Sequence, residues 1–328
     1  MPGASALTKN GVQSLLTQLD DIEAGPGGGL ITFGGGSLEV SNLRKPFWPK
    51  LKLTKGDLFR HYVRVAPFIL PALADRPLVM KRYPNGIAGP PFYQHRAPDK
   101  VSAGVRVERV DTGSEVRPHL VGGDIVTLLY TAQLGAISQD PWFSRVQTAD
   151  AIDHVAIDLD PPDGLPYERV LDVARWVREA LASVKATGFA KTSGAGGLHV
   201  YVPVAPGTTY ESGLLFAQII ATMVAEQHPK HATIERSVKA RGRRIYVDYM
   251  QNALGKTLAS AYSARASEFA GVSTPVTWDE VDTGVSPRDF TVANFGERIK
   301  AAGDPWAALR KSKGLQLDAL KRSHALRR

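Results

Sequence analysis

A chain of 328 residues, 43% hydrophobic and 22% charged, is long enough for one large or two ordinary domains and has the balance of a globular protein. It has no cysteine, which excludes disulfides and every zinc site built on thiolates, and no apolar run approaches the roughly 20 residues that span a bilayer. The formal net charge of +8 attracts polyanions through Coulomb forces and counterion release, so nucleic acid stays open as a partner.

In chain order, residues 1–36 read as a flexible Gly-rich lead. Gly25, Gly27, Gly28 and Gly29 surround Pro26, a second cluster spans Gly34 to Gly36, and glycine loses much conformational entropy when fixed. A short amphipathic helix is expected around Val12–Leu19. No apolar signal core is visible, which predicts a cytoplasmic, nucleoid-associated protein without a membrane partner. Lys55 to Leu70 reads as a helix with Leu58, Tyr62, Val65 and Ile69 along one side, kinked or ended early by Pro67. Arg76 to Tyr83 reads as a strand, Ile125 to Leu129 as a short helix and Gly135 to Ile137 as a strand.

The centre has the clearest pattern. From His154 to Asp160, Val155, Ile157 and Leu159 alternate with Ala156, Asp158 and Asp160, the period of a strand. A Pro-Pro-Asp-Gly turn stops it, and Pro166 opens a helix with Val170, Ala174, Val177 and Leu181 on one side. Further strands are expected over Gly197–Pro203, Arg243–Met250 and Leu258–Ala264, with a helix over Leu214–Glu226. This order predicts an α+β (mixed α/β) fold whose mixed and antiparallel sheets form a cleft flanked by helices. The expected organisation is a lead over 1–36, one catalytic domain over 37–303 and a basic tail over 304–328.

Three constellations carry chemistry. Asp158 and Asp160 project from one strand face, about 6.5–7 Å apart at the backbone. Carboxylates that close repel by about 3 kcal/mol at an effective dielectric near 20, which a cation relieves. Taken alone, the pair also suits two solvated carboxylates, a sugar-nucleotide transferase or an aspartate phosphatase. The phosphatase pattern wants Thr or Val after the second Asp, where Pro161-Pro162 stand. Second, Lys191-Thr192-Ser193-Gly194-Ala195-Gly196-Gly197-Leu198-His199 offers a turn whose amides can cradle phosphate, or a plain turn. Third, Asp248 lies in a strand pattern and, with the first two aspartates, makes the acidic set of a two-metal phosphoryl-transfer site. Arg236, Lys239, Arg241, Arg243 and Arg244 precede Asp248, and Lys256 and Arg265 follow it.

The ordered set DLDPPDGLP, KTSGAGGLHVYVP, VDYMQN, AYSARA and STPVTWDE resembles the archaeo-eukaryotic primase superfamily. Over roughly Ser37 to Lys300 the chain resembles the polymerase domain of bacterial ligase D and its stand-alone primase-polymerase relatives. The resemblance implies a template-dependent nucleotidyltransferase of DNA repair by gap filling and non-homologous end joining. Asp158, Asp160 and Asp248 would be catalytic and would bind two ions, Mn²⁺ or Mg²⁺. It implies nucleotide contacts from Lys191, Ser193, Gly194, His199, Lys256 and Arg265, a DNA 5′-phosphate site at Asn42, Lys45 and Lys55, and template-base stacking on Phe92 and Tyr93. Many members favour ribonucleotides over dNTPs, a preference that no residue here lets one derive. Partners implied are gapped or broken duplex DNA, NTP or dNTP, a separate ATP-dependent DNA ligase (no Lys-x-Asp-Gly motif is present) and an end-binding repair protein. Asp140 stands where the family often has His, and Phe-Tyr replaces Phe-Phe. The rival readings are a non-catalytic gap- or end-binding module of the same fold and a metal-dependent phosphatase or nuclease.

Overall fold

A computed structural model gives the architecture and describes residues 8–34 and 36–317. The fold is mixed α/β, as expected, and the chain forms two compact units. One compact unit holds the chain up to Trp142 with Leu258–Ser273 and Phe290–Gly303. The other holds Phe143–Thr257, Thr274–Asp289 and the chain from Asp304. Among the described residues no helix is long and apolar enough to cross a membrane.

In the first unit, the expected flexible lead carries helix α1 (Lys9–Ala24) and a hairpin of β1 (Gly29–Phe33) and β2 (Gly36–Val40). Thr8 caps α1 by accepting the Gly11 N–H at 3.1 Å. The entropy argument loses to burial here: Leu15, Leu19 and Ile31 are at most 1% exposed, and Gln18 exchanges two hydrogen bonds with the Thr32 backbone, at 2.8 and 3.0 Å. Helix α2 (Lys55–Leu73) begins at a Thr54–Asp57 capping box. It buries Leu58, Tyr62, Val65 and Ile69 as the periodicity predicts, yet runs through Pro67 and Pro71. Both prolines lie on its exposed side, so their rings stay out of the core although each removes a helical donor.

Strands β3 (Leu78–Arg82) and β4 (Phe92–Gln94) pair antiparallel with Arg82 opposite Phe92. Helix α3 (Ile125–Gln133), longer than expected, packs on α2. Gly135–Ile137 forms only an isolated bridge, Ala136 with Arg82. Leu258–Ala264 is likewise no strand. Tyr262 takes φ +69°, a left-handed conformation incompatible with extended pairing.

The second unit is built on a sheet with seven strands among the described residues. In chain order its main elements are β5 (Thr148–Asp160), α4 (Tyr167–Ser183), β6 (Phe189–Thr192), β7 (Leu198–Thr209), α5 (Tyr210–Gln227), β8 (Ala232–Thr233), β9 (Ile245–Asp248) and β10 (Pro275–Val276). Across the sheet the order is β8-β9-β5-β7-β6-β10, antiparallel except for β8 with β9. Val155, Ile157 and Leu159 of β5 are fully buried, as are Val170, Ala174, Val177 and Leu181 of α4. Helices α4 and α5 both pack on β5 and β7. A Cβ added at Gly213 of α5 would meet Val155 at 3.1 Å, so the helices take the sheet face of Val155. Period-2 alternation then turns Ala156, Asp158 and Asp160 to the other face. The described part of the expected basic tail is docked: Leu315 bridges Val204 of β7, and the Trp306 ring meets Tyr201 edge-on at 5.2 Å. The rest of that tail, from residue 318, lies outside the described residues.

Candidate metal centre and anion pocket

One polar row crosses four strands of the second unit. Cross-strand partners in antiparallel pairs share a face. Lys191 of β6 stands opposite His199 of β7, His199 opposite Asp158 of β5, and Asp158 opposite Asp248 of β9. Asp160, two residues along β5, joins the same face. Among the described residues one acidic group could hold a metal ion: a ligand oxygen from each of Asp158, Asp160 and Asp248 lies within 4.8 Å of the others. Asp158 and Asp248 are buried and Asp160 is exposed. Three carboxylates are hard oxygen donors and fit a hard divalent cation. Without one, each pair of charges at that spacing repels by about 3 kcal/mol at an effective dielectric near 20.

The Asp248 carboxylate is oriented by neighbours that the sequence did not single out. Asp248 accepts from the Tyr246 hydroxyl at 3.1 Å, the Met250 amide at 2.7 Å and the Gln251 side chain at 2.8 Å. Burial first, and the Asp248 charge second, push the Tyr246 phenol well above its ordinary range, so it stays a donor. Fully buried Asn252 accepts from the Ala156 N–H at 2.8 Å and donates to the Ala156 carbonyl at 2.7 Å. It thereby stands in for a strand partner of β5 where β9 ends. Asp158 Oδ1 lies 3.2 Å from His199 Nε2, and His199 Nδ1 lies 2.7 Å from Lys191 Nζ. Lys191, expected to face the nucleotide, is fully buried in strand β6.

The Gly-rich turn is tighter than a simple phosphate cradle. Ser193 Oγ accepts the amides of Ala195 and Gly197 at 3.1 and 3.0 Å, so those two N–H groups serve the turn itself. Gly194 takes φ +74°. Gly197 lies against the strand, where an added Cβ would fall 2.5 Å from the Leu159 carbonyl oxygen. Lys256 is exposed just after a turn in which its N–H donates to Ala253.

The other predicted residues belong to the first unit. Arg265 follows the left-handed Tyr262, its N–H donating to the Gly271 carbonyl at 2.8 Å. A cavity of about 520 Å³ is lined by Pro26, Gly27, Gly28, Ser41, Asn42, Arg44 and Lys45. It contains two of the three residues expected at a 5′-phosphate. Lys55 lies behind that lining, 5% exposed, donating to the Ser41 carbonyl at 3.0 Å and to Gln133 Oε1 at 2.8 Å. Desolvation, followed by the nearby Lys45 charge, lowers its pKa to about 8. Arg44 lines the cavity while its guanidinium donates to the carbonyls of Glu23 and Ala24 at the end of α1. Sequence reasoning missed this wall because it took residues 25–28 for a flexible lead.

Phe92 and Tyr93 are 46% and 63% exposed, which rules out a core role. Arg82 lies over the Phe92 ring at 5.1 Å and Lys81 over Tyr93 at 5.4 Å. The result is a basic, aromatic surface suited to stacking bases. Asp140, which departs from the histidine frequent in the resembled family, accepts from the Ser138 hydroxyl at 2.7 Å.

Residues 54–306 match the family model described as LigD, primase-polymerase domain. The chain is 33% identical over 270 residues to the bifunctional non-homologous end joining protein LigD of Bacillus subtilis, covering 82% of this chain and 43% of that protein. It is 29% identical over 274 residues to the multifunctional non-homologous end joining protein LigD of Pseudomonas aeruginosa, covering 82% and 32%. The chain thus spans less than half the length of these relatives. Among solved structures it is similar to the polymerase domain of Mycobacterium tuberculosis ligase D in complex with DNA, with a TM-score of 0.77 and 27% identity over 83% of this chain and 97% of that one.

Proposed function

The chain belongs to the LigD primase-polymerase domain family, and from that premise we propose that it is a template-dependent nucleotidyltransferase adding nucleotides at short gaps or broken ends of DNA. The observation that carries this reading is the convergence of Asp158, Asp160 and Asp248 beside His199. The primer 3′-hydroxyl attacks the α-phosphate of the incoming nucleotide; the new ester bond forms as the bond to pyrophosphate breaks.

Asp158, Asp160 and Asp248 would hold two divalent cations, Mg²⁺ or Mn²⁺. Bound there, such cations neutralise the triphosphate and lower the pKa of the attacking hydroxyl. The chain's own groups bind and orient. His199 offers an N–H to a phosphate oxygen, and Tyr246, Met250 and Gln251 keep the Asp248 carboxylate turned to the centre. Arg265 and Lys256 add positive charge for the triphosphate, and the Ser193–Gly194 turn offers its remaining donors. Asn42 and Lys45 take the DNA 5′-phosphate, with the Lys55 charge behind them. Phe92 and Tyr93 stack on the templating base. In this reading ribonucleotides are preferred, an ATP-dependent ligase seals the product, and an end-binding repair protein presents the break.

The test is extension of a one-nucleotide gapped duplex bearing a 5′-phosphate, with rNTP and dNTP compared in Mg²⁺ and Mn²⁺. The wild type adds one templated nucleotide, faster from rNTP. Asp158→Ala adds none and still binds the duplex. Normal extension by Asp158→Ala would refute the site, and binding without extension by the wild type would leave a gap-binding module.

A further inference from the structure

We infer that Lys191 is a positioning residue: from within the sheet it locks His199 in the tautomer that donates through Nε2 toward the carboxylate centre. The inference rests on the proposed reading in which His199 contacts the incoming triphosphate.

The geometry specifies the tautomer from both edges of the ring. Lys191 Nζ lies 2.7 Å from His199 Nδ1. An ammonium carries three donors and no acceptor, so Nδ1 must present its lone pair. The ring's proton is then on Nε2. That atom lies 3.2 Å from Asp158 Oδ1, an acceptor-only carboxylate that asks for the same arrangement. Lys191 and His199 are cross-strand partners, as are His199 and Asp158, so the three groups stand in one line set by backbone pairing.

Packing alone does not account for a lysine here. Lys191 is 0% exposed, and burying an ammonium is costly unless its donors are used. A methionine would fill similar volume without that cost. The Nζ also lies 5.4 Å from the Tyr201 ring centroid, which supports the charge from the side. With Lys191 removed, its donor no longer holds a lone pair at Nδ1, and the hold of Asp158 at Nε2 remains. The balance then shifts toward the ring form that carries its proton on Nδ1 and turns a lone pair toward the phosphate oxygens it should bind.

The experiment uses the full chain with ¹⁵N-labelled histidine, read by ring-nitrogen NMR without metal. Wild-type His199 is expected to show an unprotonated Nδ1 and a protonated Nε2, and Lys191→Met a mixture of the two neutral tautomers. In gap filling, Lys191→Met is expected to raise the KM for nucleotide about tenfold, the loss of one charge-assisted hydrogen bond, with kcat changed less than about twofold. In a His199→Ala background the same change should have no further effect. A protonated Nδ1 in the wild type overturns the inference, as does an equal tenfold loss in the His199→Ala background, which marks a merely structural role. If Lys191→Met does not fold, a protonated Nδ1 in the wild type still overturns the inference. A wild type that extends nothing defeats the proposed function while leaving the tautomer measurable.

Discussion

Asp158 and Asp248 stand directly opposite each other on neighbouring antiparallel strands, each 6% exposed. Two carboxylates so placed are partly withdrawn from water and face the same space. With Asp160 beside them the repulsion is pairwise, and the fold tolerates it where a cation can bind. The helices covering the opposite face, the Asn252 clamp on Ala156 and the hydrogen bonds to Asp248 all hold this arrangement in place.

That relationship predicts a stability response to metal. Asp160 is exposed, so Asp160→Asn removes one charge with little disturbance of packing. In chelator, the variant is expected to be more stable than wild type by on the order of 1 kcal/mol, the repulsion being reduced by solvent screening. Mn²⁺ or Mg²⁺ should raise the wild-type melting temperature and shift the variant much less. Scanning calorimetry with and without cation checks both, and a wild type indifferent to either cation would remove the metal centre.

Lys55 predicts a pH dependence at the anion cavity. Its folded pKa of about 8 lies below its ordinary value of 10.5. Between these values the unfolded chain holds more protons than the folded one, so this group's contribution makes stability rise with pH across that window. The charge available to a phosphate moves the opposite way. Preference for a 5′-phosphorylated gap is expected to fall above pH 8, by up to about tenfold per pH unit, and to be lost at every pH in Lys55→Met. Fluorescence anisotropy of phosphorylated and unphosphorylated gaps at pH 7 and 9 measures the ratio. A ratio independent of pH in the wild type contradicts the role given to Lys55.

The exposed aromatic pair predicts a loss of binding without a loss of fold. Tyr93 is 63% exposed and its contacts are with surface neighbours, Lys81 and His95. Tyr93→Ala should weaken binding to gapped DNA by about 1–3 kcal/mol, while the melting temperature stays close to wild type. Unchanged affinity would return the pair to the ordinary protein surface.

What was legible in the sequence depended on range. The alternation through Asp158 and Asp160 and the three- and four-residue spacing of Val170, Ala174, Val177 and Leu181 are local patterns, and both appear as read. The row from Lys191 to Asp248 is a matter of strand pairing between distant segments, which no local period encodes. The sequence could therefore group Asp248 with the other two aspartates by residue type and strand pattern, but not pair it with Asp158, and it left Lys191 at the start of a Gly-rich turn. Glycine clusters misled at Gly25–Gly29 because composition reports the entropy lost on ordering, whereas the burial of Leu15, Leu19 and Ile31 that opposes it is tertiary. Asn252 and Gln133 escaped notice for a related reason. An amide that replaces a strand partner, or steadies a buried lysine, looks in sequence like any other polar residue.

Gly197 and Gly196 predict opposite outcomes from the same substitution. Gly197 needs no left-handed backbone; what excludes a side chain is the Leu159 carbonyl oxygen, 2.5 Å from where its Cβ would sit. That carbonyl belongs to the residue between Asp158 and Asp160, so relieving the clash must move β5 where it holds the metal ligands. At Gly196 the nearest atom would be Pro161 Cγ at 3.8 Å, an ordinary contact. Gly197→Ala is expected to cost about 1–3 kcal/mol in urea unfolding and to abolish the cation-induced rise in melting temperature. Gly196→Ala should match wild type in both. Because the two positions are adjacent in one turn, equal behaviour of the two variants would mean that loop composition, rather than the close approach to Leu159, governs the site.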